Sequence, residues 1–124
     1  MKLQIPDVVR TSKERAGRLY RVKAKDGNIR MIPFKEIILI QSSPKRGILE
    51  LHQEHDLIEF CGMISRIARG IPELFQSHTS VVVNLEHIKS IDEANRKIEL
   101  TNGRIVPIAV RKTKGLLDLM ATMS

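Results

Sequence analysis

Phe75-Gln76-Ser77-His78-Thr79-Ser80-Val81-Val82-Val83-Asn84-Leu85-Glu86-His87-Ile88 changes character twice. Gln76 to Ser80 is small and polar and reads as a loop. Ser80 to Val83 is β-branched and apolar, and predicts a short buried strand. Asn84 reads as a structural residue whose side chain bonds backbone amides of the next turn. Ile88 to Ile91 resumes as a strand. Further on, Lys97–Leu100 and Arg104–Ile108 flank Asn102-Gly103, a strong hairpin signal because Gly accepts positive φ. Pro107 has no N–H for a ladder, so that strand belongs at an edge. Arg111 to Met120 follows as a helix with Leu116, Leu117 and Met120 apolar.

The pattern extends towards the N-terminus. Leu19 to Lys23 alternates, with Tyr20, Val22 and Ala24 on one face, and turns at Asp26-Gly27 into a second strand, Asn28 to Ile32. Ile37-Ile38-Leu39-Ile40 fits a strand buried on both faces. The loop Gln41-Ser42-Ser43-Pro44-Lys45-Arg46-Gly47 is polar and cationic. Ile48–His52 and Leu57–Cys61 form another hairpin. Met63, Ile64 and Ile67 share one face of a short helix over Gly62–Gly70, with Arg66 and Arg69 opposite. A mainly β fold of short antiparallel strands and hairpins with two short helices is therefore expected. It forms one domain at 18–124, behind a linker or lead-in at 1–17.

The formal net charge is +7 and the pI about 9.9. Such a balance suits a polyanionic partner. The single cysteine, Cys61, excludes an internal disulfide, fits a reducing cytoplasm, and reads as a small core residue on its strand. No apolar run is long enough to span a membrane, and the N-terminus lacks a signal-peptide core. Trp is absent and aromatics make up 3% of the chain, which disfavours single-strand binding by base stacking. No G-x-S-x-G, H-E-x-x-H or phosphate-cradling glycine loop is present, so no enzyme is expected. Nothing in the chain asks for a cofactor. His52, His55, His78 and His87 are too scattered to argue for metal. The acidic residues Glu50, Glu54, Asp56 and Glu59 read as a solvated face, or as one that keeps DNA to the opposite side.

The order and spacing of Phe75–Ile88, Leu100–Ile108 and Arg111–Lys114 resemble the LytTR DNA-binding domain family, over about residues 18–120. The pattern at Phe75–Asp92 is similar to the AgrA/ComE-type output domains of quorum-sensing response regulators. The resemblance implies an elongated β core whose loops enter two successive major grooves of duplex DNA and follow the minor groove between them. It implies a cytoplasmic transcription regulator of quorum-sensing, bacteriocin, competence or virulence genes. In such a protein an N-terminal receiver is phosphorylated by a membrane histidine kinase. Two output domains then pair as a homodimer on direct repeats. Met1 opens on linker-like sequence, as expected of an excised output domain, with a stand-alone protein as the alternative.

The same resemblance assigns the site. Arg111 takes the position of a base-reading arginine, and a guanidinium donates two parallel bonds to guanine O6 and N7. Lys112 and Lys114 suit phosphates. Thr79 stands where Asn or Arg is commoner; it has less reach, though it can still bond a base or meet a thymine methyl. His78 supports its loop or touches a phosphate. Ser77 replaces a cysteine that is redox-active in some relatives, which removes thiol sensing there. Gln76 and Ser80 are further phosphate contacts. Gly47 aligns with a histidine base reader and has no side chain for that role, leaving Arg46 as its substitute beside Lys45. Two other readings remain: a small-β RNA-binding module, and a LytTR-like protein-interaction or inhibitory partner without DNA reading. Competition among duplex DNA, single-stranded DNA and RNA separates the first, and absence of salt-sensitive DNA binding marks the second.

Overall fold

The computed structural model describes residues 18–123; the lead-in at 1–17 lies outside them. Ten strands form three antiparallel sheets among these residues. They are β1 (Leu19–Lys23), β2 (Ile29–Pro33), β3 (Leu39–Ser42), β4 (Ile48–His52), β5 (Leu57–Cys61), β6 (Leu74–His78), β7 (Val81–Asn84), β8 (Ile88–Asp92), β9 (Lys97–Leu100) and β10 (Ile105–Pro107). Helix α1 (Ile64–Ile67) joins β5 to β6, and α2 (Val110–Met123) follows β10. The central sheet has the order β5-β4-β3-β7-β6, beside a β10-β9-β8 sheet and the β1-β2 hairpin. The mainly β expectation holds.

Two cores form because side chains alternate across the central sheet. Ile40, Leu49, Leu51, Ile58, Phe60 and Val82 pack with Val22, Ile32 and Phe34 of the hairpin side and Ile64 of α1. Leu39, Val81 and Val83 instead pack with Ile98, Leu100 and Val106 of the second sheet, Ile108 just after it and Leu116 of α2. Burial of each such side chain is worth about 1.5–3 kcal/mol, so both covering layers are held firmly. Asp26-Gly27 and Asn102-Gly103 turn as expected, with Gly27 and Gly103 at φ +93° and +87°. Pro107 lies on edge strand β10.

A polar cluster ties the second sheet to the first. Arg104 Nη2 donates to Gln41 Oε1 at 3.0 Å, and Nη1 approaches His52 Nδ1 at 3.4 Å. Gln41 Nε2 donates to Glu50 Oε1 at 3.0 Å, and His52 Nε2 lies 3.3 Å from the same oxygen. Arg104 offers only donors, so His52 Nδ1 accepts and Nε2–H donates to Glu50. Burial holds the His52 pKa below its ordinary value of 6.5; the Arg104 charge adds to this, and Glu50 opposes it. With the folded value lowered, the associated stability is complete above about pH 6.5 and is lost as pH falls through the folded value. Thermal unfolding between pH 7.5 and 5 should show this loss, and His52→Gln should remove its share. An identical decline in parent and variant would assign the acid sensitivity elsewhere.

Several expectations need correction. Gln76, Ser77 and His78 are the end of β6 and not a loop; only Thr79-Ser80 turns. A register shift between Gln76 and His78 buries Ser77, whose hydroxyl then finds a carbonyl partner. Ser42 likewise belongs to β3, whereas Ile37 and Ile38 precede the strand although both are buried. Helix α1 is only four residues long, and Met63, its N-cap, is exposed and off the buried face. Cys61 is exposed because Ile58 and Phe60 take the inward positions of β5. Glu50 is half-buried in the Arg104 cluster, and Glu59 pairs with Lys25 and Lys45, so these two do not form a merely solvated face.

Candidate nucleic-acid interface

Backbone hydrogen bonds bring the expected segments together. Ser42 N–H donates to Ser80 O at 3.0 Å, joining the start of the β3–β4 loop to the β6–β7 turn. Ala109 N–H donates to Ser77 O at 2.7 Å, and Ser77 Oγ donates to Pro107 O at 3.0 Å. The β10–α2 junction is thereby fastened to β6 on both sides of Ile108. Ser77 is fully buried and supports the surface from below.

The cations differ in how free they are. Arg111, in the first turn of α2, is exposed, and its side chain has no hydrogen bond or ion pair among the described residues. Lys112 lies with Nζ 5.7 Å from the Phe75 ring centroid, half-buried over the face of the ring. Lys114 is exposed and pairs with Asp118 at 3.0 Å along the helix. Lys45 Nζ is 3.7 Å from Glu59 Oε2, while the exposed Arg46 side chain is unpaired among the described residues. Gly47 sits at φ +76°, so the turn itself uses glycine's tolerance of the left-handed region.

The contacts of His78 with Ser80 select a tautomer of its neutral ring. Ser80 N–H donates to Nδ1 at 3.3 Å, with Ser80 Oγ 3.1 Å from the same nitrogen. A backbone amide can only donate, so Nδ1 carries the lone pair and Nε2 the proton. The half-buried ring therefore presents an N–H donor. Thr79 is exposed beside it, and the Gln76 amide donates to His78 O at 3.3 Å.

A turn that sequence reasoning passed over completes the surface. A shallow concavity of about 680 Å³ is lined by His78, Thr79 and Arg111 together with Asn95 and Arg96 of the β8–β9 turn and Lys97 at the start of β9. The signal lay in the Asn102-Gly103 hairpin. Its register pairs Glu99 with Ile105 and Lys97 with Pro107. One step further sets Arg96 opposite Ile108, and Ile108 N–H does donate to Arg96 O at 2.9 Å. Helix α2 also begins at this concavity, adding the partial positive charge of its N-terminus.

The other ends of the strands have a different charge. A cleft of about 750 Å³ there is lined by Glu36, Glu54, Asp56 and Glu86, with Lys35, His55 and His87. His87 is held by Thr101 Oγ1 and by Lys35 O. The lining of this cleft is thus predominantly acidic, whereas that of the concavity beside the β6–β7 turn is cationic. No helix among the described residues is long and apolar enough to cross a membrane.

A family model described as "LytTr DNA-binding domain" matches residues 27–121. Among solved structures, the chain is similar to the LytTr DNA-binding domain of a protein described as a methyl-accepting/DNA response regulator from Bacillus cereus. The TM-score is 0.67 at 20% identity, covering 82% of this chain and 95% of that one. No curated protein matches the chain in sequence.

Proposed function

This chain belongs to the LytTR DNA-binding domain family, and we propose that it reads duplex DNA as the output domain of a response regulator. The observation that carries the reading is the joining of three polar or cationic segments, Ser43–Gly47, Thr79-Ser80 and Ala109–Lys114, into one surface by the Ser42–Ser80 and Ala109–Ser77 backbone bonds. Arg111 reads a guanine edge in a major groove, with Thr79 and Arg46 as secondary readers. Lys45, Lys112, Lys114, His78, Gln76 and Ser80 hold phosphates or support those that do. Phosphate contacts fix register while base contacts supply specificity. The acidic cleft repels the duplex and orients approach. Two copies bind direct repeats as a homodimer, under a receiver domain and a membrane histidine kinase, in a cytoplasmic quorum-sensing or related regulatory circuit.

Each neutralised phosphate contributes roughly −0.9 to the slope of log affinity against log salt. The cations on this surface should give a slope of about −3 to −5 on cognate duplex. Titration of a labelled duplex across a salt series measures it, with single-stranded DNA and RNA as competitors. A flat slope would sink the reading and favour a protein-interaction domain, for which the side-chain-free Gly47 already offers no base reader. Preference for RNA would point to the RNA-binding alternative.

A further inference from the structure

Arg96 is the one non-glycine residue with positive φ among the described residues, at +53°. Gly27, Gly47, Gly70 and Gly103 fill the other positive-φ positions. A side chain in this region is disfavoured, and glycine is its natural occupant. The turn fixes the conformation: Arg96 N–H donates to Glu93 O at 3.3 Å, and Arg96 O accepts from Ile108 N–H at 2.9 Å. Asp92 holds the turn from outside, accepting from Asn95 N–H at 3.1 Å and from Asn95 Nδ2 at 2.8 Å. The Arg96 side chain returns nothing to the fold, because it is exposed and has no hydrogen bond, ion pair or ring contact among the described residues. Lys97 is exposed and makes no side-chain hydrogen bond or close ion pair among them, although its charge acts on Asp92, its partner across the β8–β9 ladder. Arg96 and Lys97 both line the concavity that also takes in Arg111, Thr79 and His78.

We infer that the end of the β8–β9 turn and the start of β9, Asn95–Lys97, form a fourth DNA-contacting segment, in which Arg96 and Lys97 grip a backbone phosphate beside the base step that Arg111 reads. The ligand is a phosphodiester of duplex DNA. The site brings two cations, the His78 ring and the N-terminus of the 14-residue helix α2 to one concavity. The role is positional: it sets the depth and angle at which Arg111 enters the groove. This inference rests on the duplex-binding reading above.

Arg96→Gly is a direct test, because glycine suits the backbone while removing the guanidinium. The variant should melt at or above the parental temperature. Its affinity for cognate and scrambled duplex should fall about tenfold, with the salt slope reduced by about one unit. Neutral methylphosphonate, substituted one phosphate at a time, should then identify a position that weakens the parent but leaves Arg96→Gly unaffected. Parental affinity and slope in Arg96→Gly, alongside an intact Arg111 effect, would overturn this inference alone. A parent with no salt-sensitive duplex binding would overturn the functional reading and this inference with it.

Discussion

Replacing Arg111 by alanine should weaken binding to cognate duplex by about 1–3 kcal/mol and relax preference at one base step. The side chain is exposed at the start of α2 and has no competing partner among the described residues. Its five donors are therefore available to a base edge without breaking an internal contact. Lys114 makes the contrast. It lies within the same helix but already pairs with Asp118, and an exposed i,i+4 pair is worth only a few tenths of a kcal/mol. DNA can outcompete that pair. Lys114→Ala should weaken cognate and scrambled duplexes alike and lower the salt slope by about one unit. Binding of both variants to cognate, single-base-changed and scrambled duplexes over a salt series resolves the two roles. Equal, sequence-independent losses would make Arg111 another phosphate contact and move base reading to Arg46 or Thr79. Neither variant should alter folding, since neither side chain enters a core.

The largest effect on stability is expected at Asn84. This side chain is 1% exposed and joins its own turn to the Phe34–Ile37 segment. Its Nδ2 donates to Phe34 O at 2.7 Å and to Ile37 O at 2.8 Å, while Oδ1 accepts from Glu86 N–H at 3.0 Å. Phe34 O also receives Ile37 N–H at 3.0 Å, so the loss on truncation falls mainly on Ile37 O and Glu86 N–H. Leaving the buried Ile37 carbonyl unpaired costs about 1–3 kcal/mol, and losing the Asn84 cap on the exposed Glu86 turn costs about 1 kcal/mol more. Asn84→Ala should therefore lower unfolding free energy by about 2–4 kcal/mol, read as a reduced urea midpoint at unchanged m-value. Asn84→Asp keeps the acceptor but turns a carboxylate towards two carbonyl oxygens, and should be no more stable at neutral pH. Parental stability in the aspartate variant would mean that the donated bonds contribute little.

The expected structural role of Asn84 follows from local chemistry: an amide after an apolar strand has few other uses. Its reach to Phe34 and Ile37 was not legible, because that contact spans a fold rather than a turn. Strands were readable wherever alternation or a glycine turn marked them, as at Leu19–Lys23, Ile48–His52 and Lys97–Leu100. Gln76–His78 misled because polarity was read as exposure, whereas a bulge and the Pro107 carbonyl give Ser77 a buried partner. Cys61 misled in the opposite sense. Small size suggested the interior, but position parity on β5 decides the side, and Phe60 takes the inward place. In the candidate site, Arg111 and Thr79 were named through family resemblance and meet in one concavity. Arg96 required the hairpin register to be carried one residue beyond its regular strand, where propensity gives no prompt.

The outward position of Cys61 has a practical consequence. It is the chain's sole cysteine, it is exposed, and it pairs across the ladder with Ile48, next to the Lys45–Gly47 turn. A maleimide fluorophore would attach there alone, without any engineered substitution. Its emission would respond to what happens at that turn, while Arg96 and Arg111 remain unmodified. One labelled preparation could thus time the arrival of DNA at one edge of the surface and, through mutation, show whether the other edge engages first.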